Sequence, residues 1–182
     1  MYPFLRLAHQ VRRHRKAPPL GLTEPHVSHH ICWPWDLDPW RELNNGRTLT
    51  LYDLGRIPMA LRNGMVAVAR AQGWGMTVAG NSTRYRRRVR MFDRVTMVSR
   101  VIGWDARFFY IDQSMWRGQE ATSQILIRTA VTSPDGIVPP TRVLAAMGHP
   151  ETGPDLPEWV RAWIRAEASR PWPPETVPPP VA

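Results

Sequence analysis

Residues 33–56 read WPWDLDPWRELNNGRTLTLYDLGR, and this stretch decides the fold because it places two carboxylates, Asp36 and Asp38, between a strand and a helix. Asn44 is the predicted N-cap of the helix, since an asparagine side chain accepts hydrogen bonds from free first-turn amides. A carboxylate beside the positive end of a helix can act on a carbonyl group that the helix amides polarise. The stretch therefore indicates a hydrolase for esters or thioesters.

The sequence on either side of this stretch predicts an α+β domain. We expect a strand over residues 26–33, a loop over 34–43 and then a helix that Pro58 breaks, with a second helical piece over about residues 58–71. β-Branched and aromatic residues predict strands at 74–82, 84–92, 94–104, 106–116 and 119–132, with hairpin turns at Phe92-Asp93, Trp104-Asp105 and Arg117-Gly118. Such strands form an antiparallel sheet with the long helix packed on one face.

The two ends of the chain differ from its centre. Residues 1–20 form a basic segment in which 1–16 predict a short amphipathic helix, and the main domain covers residues 21–148. Residues 133–150 are predicted to be a connection containing proline and glycine. Residues 149–170 hold a linker and a helix capped by Asp155, and the proline-rich residues 171–182 predict a mobile tail.

Composition favours one domain of ordinary size. The chain has 182 residues, of which 43% are hydrophobic, and Cys32 is its only cysteine, so no internal disulfide can form. It has no apolar run of about 18 residues that would span a membrane, and its first residues lack the apolar stretch of a secretory signal. We therefore expect a cytoplasmic protein, with Cys32 in the core.

The net charge of +9 comes from two basic clusters, and the rest of the chain is almost neutral. The first cluster, in residues 1–16, could dock on an anionic membrane as a peripheral contact. In the second, alternation along the predicted strand would place every arginine except Arg87 on one face, where they could bind coenzyme A phosphates or form a solvated face or a subunit contact. Nucleic acid is an unlikely partner, because no zinc pattern, helix-turn-helix or ribonucleoprotein signature accompanies these residues. The second cluster comprises Arg84, Arg86, Arg87, Arg88 and Arg90.

Three segments, DLDPWRELNNGRTLTLYDLGR, RYRRRVRMFDRV and VIGWDARFFY, resemble the hotdog-fold acyl-CoA thioesterase-like family, in the branch related to 4-hydroxybenzoyl-CoA thioesterase. With MYPFLRL and PPLGL, the resemblance covers residues 1–148. It implies an antiparallel sheet wrapped around a long central helix, and a homodimer or homotetramer with the acyl pocket between subunits. The implied substrate is an acyl-CoA or acyl carrier protein thioester. Coenzyme A enters only as part of that substrate, and neither a metal nor a redox cofactor is needed.

The family signature, close to D-x-D-x-x-x-H-M-N-N-x-x-Y, assigns candidate roles position by position. Asp38 matches the catalytic aspartate, as base or nucleophile, although helix support alone would also explain it. Asp36 matches the accompanying acid, either near the substrate or holding the loop. Asn44 and Asn45 match the start of the central helix, and the backbone N–H of Asn45 is the candidate oxyanion donor.

Two positions depart from that signature. Glu42 stands where relatives often have His, and Thr48 stands where they usually have Tyr. Glu42 could assist Asp38 or be merely solvated, and Thr48 could line the pocket. The sequence therefore predicts a thioester hydrolase, with a non-catalytic acyl-CoA-binding or structural hotdog protein as the alternative.

Other chemistries have little support in the sequence. His26, His29 and His30 lie on one predicted strand with alternating directions and no matching carboxylate or cysteine spacing, so we predict no metal site. Gly-x-Ser-x-Gly, phosphate-loop and dinucleotide motifs are absent from the sequence.

Overall fold

An antiparallel sheet curls around one long helix in the computed structural model, which describes residues 2–174. The strands are β1 His26–Ile31, β2 Gly75–Tyr85, β3 Arg94–Trp104, β4 Phe109–Arg117, β5 Glu120–Ser133 and β6 Gly136–Val138. In the sheet they follow the order β1-β3-β4-β5-β2, and β6 pairs with the end of β5. The helices are α1 Phe4–His14, α2 Asn45–Arg62, α3 Met65–Gln72, α4 Pro140–Met147 and α5 Glu158–Ala168.

The central helix α2 packs against the inner face of the sheet. Alternate residues of β3, such as Val95, Met97 and Val101, point inward and are buried, as the period of a strand requires. Gly55 in α2 allows the closest approach, because a Cβ atom there would lie 2.6 Å from Met97 Sδ and 2.8 Å from Ser99 Oγ. A side chain at position 55 would therefore push the helix away from the sheet.

The predicted helix break at Pro58 is wrong. Helix α2 continues through Pro58 to Arg62, and the break falls at Gly64, whose φ of 85° is left-handed. An interior proline costs about 3 kcal/mol, but Pro58 and its neighbours Met59 and Ala60 are buried. We attribute the continuity of α2 to this packing, which offsets the lost backbone hydrogen bond.

The predicted strand over residues 84–92 is also wrong. Strand β2 ends at Tyr85, and the backbone N–H groups of Arg86 and Arg87 both donate to Thr122 O, which turns the chain away. Phe92-Asp93 joins no hairpin, since β2 and β3 are not neighbours in the sheet. The arginines of this segment therefore do not share the face of one strand. The hairpins β3–β4 and β4–β5 are confirmed.

The C-terminal region contains more structure than we predicted. Residues 133–150, expected to be a connection, include β6 and α4. Helix α5 is confirmed, but Asp155 does not cap it, because Pro157 is the N-cap residue and no side chain caps the helix. Val160 and Trp163 of α5 pack on the outer face of the sheet. Residues 175–182 of the predicted tail lie outside the described residues.

The predicted N-terminal helix is confirmed as α1. It packs beside α2, with Gln10 buried and its Nε2 donating to His29 O at 3.0 Å. Across residues 2–174, no helix combines the length and the apolar character needed to cross a membrane.

Two buried histidines of β1 predict acid sensitivity. Burial lowers the pKa of His26 to about 4 and that of His30 to about 3, and the ring of His30 is hydrogen-bonded to Ser28 Oγ at 2.9 Å. Histidines of the unfolded chain take up protons near pH 6.5, whereas the buried rings of the folded protein stay neutral. The free energy of unfolding therefore has its full value above pH 6.5 and falls as the pH decreases towards 4.

We expect the free energy of unfolding to fall by about 2 kcal/mol per histidine between pH 7.5 and pH 5. Urea unfolding at the two pH values measures the loss, and His30→Gln should reduce it. Equal stability at both pH values would contradict this expectation.

Candidate active site

Asp36 is a buried junction between α1 and α2. Its Oδ2 accepts hydrogen bonds from Arg6 Nη1 at 2.7 Å and from the backbone N–H of Trp33 at 3.0 Å. Its Oδ1 accepts from Arg47 Nη2 at 2.9 Å and Nε at 3.2 Å. The side chain is 0% exposed. Asp36 thus anchors the loop after β1 to both α1 and α2. It does not line the cavity that contains Asp38.

Asp38 lies two residues further along in a different environment. Its Oδ1 accepts hydrogen bonds from the backbone N–H groups of Trp40 at 2.9 Å and Glu42 at 3.2 Å. Its own N–H donates to Glu42 O at 2.8 Å. Within residues 2–174 the hydrogen bonds of this carboxylate engage only Oδ1. The loop therefore fixes the side chain and leaves Oδ2 to interact with a bound molecule.

Three predicted catalytic residues and Thr48 meet at one cavity of about 220 Å³. Asp38 and Glu42 come from the loop, while Asn45 and Thr48 come from the first turn of α2. The opposite wall is formed by Tyr85, Arg87, Arg88, Val89, Thr122 and Ser123. The cavity is small and partly open, and one side carries a carboxylate beside a helix start.

The start of α2 provides backbone donors at this cavity. Asn44 Oδ1 accepts from the N–H groups of Gly46 at 2.9 Å and Arg47 at 3.2 Å, which confirms the predicted N-cap. The N–H of Asn45 has no hydrogen-bond acceptor in the described part of the chain. Asn44 itself does not line the cavity. The N–H of Asn45 can therefore donate to an oxygen atom bound there.

The two departures from the family signature already have protein partners. Glu42 forms an ion pair with Arg88, whose Nε lies 3.0 Å from Oε2. Thr48 is buried, and its Oγ1 donates to Asn44 O at 3.1 Å. One carboxylate oxygen of Glu42 and the hydroxyl of Thr48 are thus engaged in contacts within the protein.

The arginine cluster is divided between two cavities. Arg88 lines the Asp38 cavity, whereas Arg84 and Arg86 line another cavity, of about 660 Å³, on the outer face of the sheet. Trp116 also lines the outer cavity, and Ser123 lines both. The two cavities therefore adjoin near the start of β5.

Apart from Arg88, sequence reasoning missed the wall opposite Asp38. Tyr85 pairs with Ser123 in the β2–β5 register, and Ser123 Oγ is 2.8 Å from the hydroxyl of Tyr52 in α2. Burial raises the pKa of Tyr52, so the hydroxyl stays protonated. No local signal marks these residues, because their proximity depends on strands about 40 residues apart in the sequence.

Two other candidate chemistries find no support. Burial, with a smaller effect from the Asp36 carboxylate, raises the pKa of Cys32 to about 11, so the buried thiol is a poor nucleophile and belongs to the core as predicted. His26 and His30 point inward on β1, while His29 points outward. No three His, Cys, Asp or Glu side chains of residues 2–174 are grouped as metal ligands would be.

This architecture, a curled antiparallel sheet around a central helix that begins beside an acidic loop, is the hotdog fold. The chain belongs to the thioesterase-like superfamily, whose family model matches residues 32–164. The predicted fold class and family are thereby confirmed.

Similar proteins occur among animals and among solved bacterial structures. Protein THEM6 of Xenopus laevis is 28% identical over 166 residues, which cover 89% of this chain and 78% of that protein. Protein THEM6 of Drosophila melanogaster is 25% identical over 148 residues, covering 80% and 75%. The probable thioesterase YbaW from Escherichia coli superposes with a TM-score of 0.62 at 15% identity, over 67% of this chain and 98% of that one. Slr0204, a 1,4-dihydroxy-2-naphthoyl-CoA thioesterase from Synechocystis, gives a TM-score of 0.58 at 9% identity, over 70% and 100%. At these identities, the structures demonstrate a shared fold.

The geometry of Asp36 predicts a large effect of its replacement on stability. Asp36→Asn leaves the partly buried guanidinium groups of Arg6 and Arg47 without their carboxylate, so we expect the free energy of unfolding to fall by about 3 kcal/mol. Urea unfolding measures this loss. The matched control is Asp135→Asn, which alters an exposed turn carboxylate and should change stability by less than about 0.5 kcal/mol. Equal effects of the two substitutions would contradict the role of Asp36.

Proposed function

We propose that the protein is an acyl-CoA thioesterase that hydrolyses a thioester to a free acid and coenzyme A in the Asp38 cavity. The observation that carries this proposal is that Asp38 and Asn45 line one cavity, and that within residues 2–174 the Oδ2 of Asp38 and the N–H of Asn45 have no hydrogen-bond partner. A carboxylate and a backbone donor on one small cavity are the groups that thioester hydrolysis requires.

The proposed reaction uses the free oxygen of Asp38. The N–H of Asn45 donates to the thioester carbonyl oxygen and stabilises the negative charge that develops there. In one route, Asp38 takes a proton from water, the resulting hydroxide attacks the carbonyl carbon, and the C–S bond breaks. In the other, Asp38 attacks directly and water then hydrolyses the mixed anhydride. In both routes the thiolate of coenzyme A leaves and takes up a proton.

Membership of the thioesterase-like superfamily supports a thioester substrate. Two similar structures are described as thioesterases for 1,4-dihydroxy-2-naphthoyl-CoA and gentisyl-coenzyme A, which are aromatic coenzyme A thioesters. An acyl carrier protein thioester is the second candidate substrate. Coenzyme A enters only as part of the substrate, and the proposed reaction uses no metal or redox cofactor.

We also propose that the protein is a homodimer, as the family resemblance implies, with a tetramer as the alternative, and that the two copies join through β2. Strand β2 pairs with β5 on one side only, and it exposes Met76, Val78 and Tyr85. A long exposed edge strand favours pairing with another chain. Tyr85 also lines the Asp38 cavity, so a partner at this edge would add a wall to the cavity.

The alternative function is acyl-CoA binding without hydrolysis. The observation that favours it is that the two positions that depart from the family signature already form contacts within the protein, Glu42 with Arg88 and the Thr48 hydroxyl with Asn44 O. Acyl-CoA binding without release of thiol would select this alternative.

Replacing Asp38 tests the catalytic proposal. We expect Asp38→Asn and Asp38→Ala to lower kcat by about two to four orders of magnitude, because each removes the base or nucleophile. Thiol release from short, long and aromatic acyl-CoA substrates measures the effect. Asp135→Asn, an exposed carboxylate remote from the cavity, is the matched control and should retain parental activity. Unchanged hydrolysis by both Asp38 variants would refute the mechanism.

We expect Arg84 and Arg86, which line the outer cavity, to bind the phosphates of coenzyme A. Arg84 and Arg86 form no ion pair within residues 2–174, whereas Arg87 and Arg88 pair with Glu120 and Glu42. The double substitution Arg84→Gln/Arg86→Gln should raise KM for acyl-CoA by about tenfold or more, since guanidinium–phosphate hydrogen bonds are lost.

A truncated substrate separates this effect from damage to the site. KM for the matching N-acetylcysteamine thioester, which lacks phosphates, should not change in the double variant. The exposed Arg70→Gln on α3 is the control substitution. An equal rise in KM for both substrates would exclude phosphate recognition by this pair.

A further inference from the structure

A large groove separate from the Asp38 cavity lies beside α1. It has a volume of about 680 Å³ between α1 and the β1–β3 edge of the sheet, and it shares no lining residue with the Asp38 cavity. The proposed hydrolysis uses none of its residues. The groove therefore needs an explanation of its own.

One stripe of α1 lines this groove. Leu5, His9 and Arg13 follow one another at intervals of four residues, which places them on the same helix face. All three are exposed, and the leucine side chain is 88% exposed. This stripe therefore has an apolar side chain, Leu5, at one end and a cation, Arg13, at the other.

The wall of the groove that faces α1 also combines basic and apolar side chains. His29 and Arg94 add polar and basic groups, and the indole of Trp33 adds apolar surface. None of the residues that line the groove is acidic. Arg6 also lines the groove, but its guanidinium is bound to Asp36. Arg13 and Arg94, in contrast, have no carboxylate partner within residues 2–174.

Exposed aromatic side chains continue from the groove onto the surface. Trp33 stacks on Trp35 with ring centroids 5.4 Å apart, and it meets the edge of Phe92 at 6.0 Å. Trp35 is 65% exposed and Phe92 is 56% exposed. A contiguous apolar patch of this kind marks an interaction surface. Indole rings favour the boundary between water and a lipid bilayer, where their apolar and polar parts are both satisfied.

We propose that this surface, formed by Leu5, Arg13, Trp35, Phe92 and Arg94 around the groove, docks the protein on an anionic lipid bilayer. Arg13 and Arg94 bind headgroup phosphates, while Leu5, Trp35 and Phe92 enter the interfacial layer. Charge complementarity selects this partner, because the groove is lined by cations and by no acidic residue, so two copies would bring like charges together. The surface extends the expected membrane contact of residues 1–16 to the β1 loop and to β3.

Vesicle sedimentation with the full chain tests the proposal. We expect binding to vesicles with about one third phosphatidylglycerol to be at least about tenfold tighter than to pure phosphatidylcholine, and to weaken with added salt. The double substitution Arg13→Gln/Arg94→Gln should weaken binding by about tenfold or more. Leu5→Ser/Trp35→Ala should also weaken it, while leaving the preference for phosphatidylglycerol in place.

Two control variants test whether the loss of vesicle binding is specific to this surface. Trp159→Ala removes an exposed indole from α5, and Arg70→Gln removes an exposed cation from α3, and both should bind vesicles as the parent does. Circular dichroism confirms folding of every variant. Equal binding to neutral vesicles, or parental binding by both groove variants, would overturn the proposal.

Two further outcomes would also overturn it. Displacement of the protein from vesicles by millimolar soluble glycerol phosphate would identify a site for a soluble phosphate compound. Loss of self-association in Leu5→Ser/Trp35→Ala, measured by sedimentation velocity without lipid, would identify a contact between copies of the chain.

Discussion

The rest of the structure depends on the buried Asp36 carboxylate and the two arginines that hold it. Arg6 comes from α1 and Arg47 from the first turn of α2, so this one side chain connects two helices to the end of β1. Removing a carboxylate from water is costly, and the hydrogen bonds from both guanidinium groups and from the N–H of Trp33 offset that cost. The backbone O of Asp36 also accepts from the N–H of Asn44 at 2.9 Å. The same residue therefore fixes where the central helix begins.

Two acids only two residues apart have separate tasks because their surroundings differ. All the donors around Asp36 belong to the protein, which leaves its oxygens no capacity for a substrate. Within residues 2–174, Asp38 is held by backbone N–H groups through Oδ1 alone, so its position is fixed while Oδ2 has no protein donor, and the residue lines the cavity. A catalytic carboxylate needs this combination, since a mobile side chain would lose the alignment that accelerates the reaction. In our proposal, rigid Asp36 supplies the geometry and Asp38 supplies the chemistry.

The parts of the fold that could be predicted from sequence are those that local patterns determine. The alternation of β3 and the side-chain cap at Asn44 both depend on residues close together in the chain. The errors arose where distant contacts decide the outcome. Burial against the sheet carries α2 through Pro58. Hydrogen bonds from the N–H groups of Arg86 and Arg87 to Thr122 O turn the chain away after Tyr85, so the arginines do not form one row. Within the site, Asp38, Glu42, Asn45 and Thr48 are close in sequence and could be found together. Tyr85 and Ser123 could not, and neither could the bond of Asp36 to Arg6, which lies 30 residues away.

The proposed lipid surface and the proposed active site share one rigid connection. Arg6 lines the groove beside α1 and binds Asp36, whose backbone O holds Asn44 at the start of α2. Trp33, which also lines the groove, donates its N–H to the same carboxylate. Since these contacts are short and end on a fully buried carboxylate, the groove and the Asp38 loop cannot reorient independently without breaking the Asp36 hydrogen bonds. Docking through Leu5, Trp35 and Phe92 would therefore fix the direction in which the Asp38 cavity faces relative to the bilayer. A lipid-derived thioester would then meet the cavity in a defined orientation, which links the two proposals through Asp36.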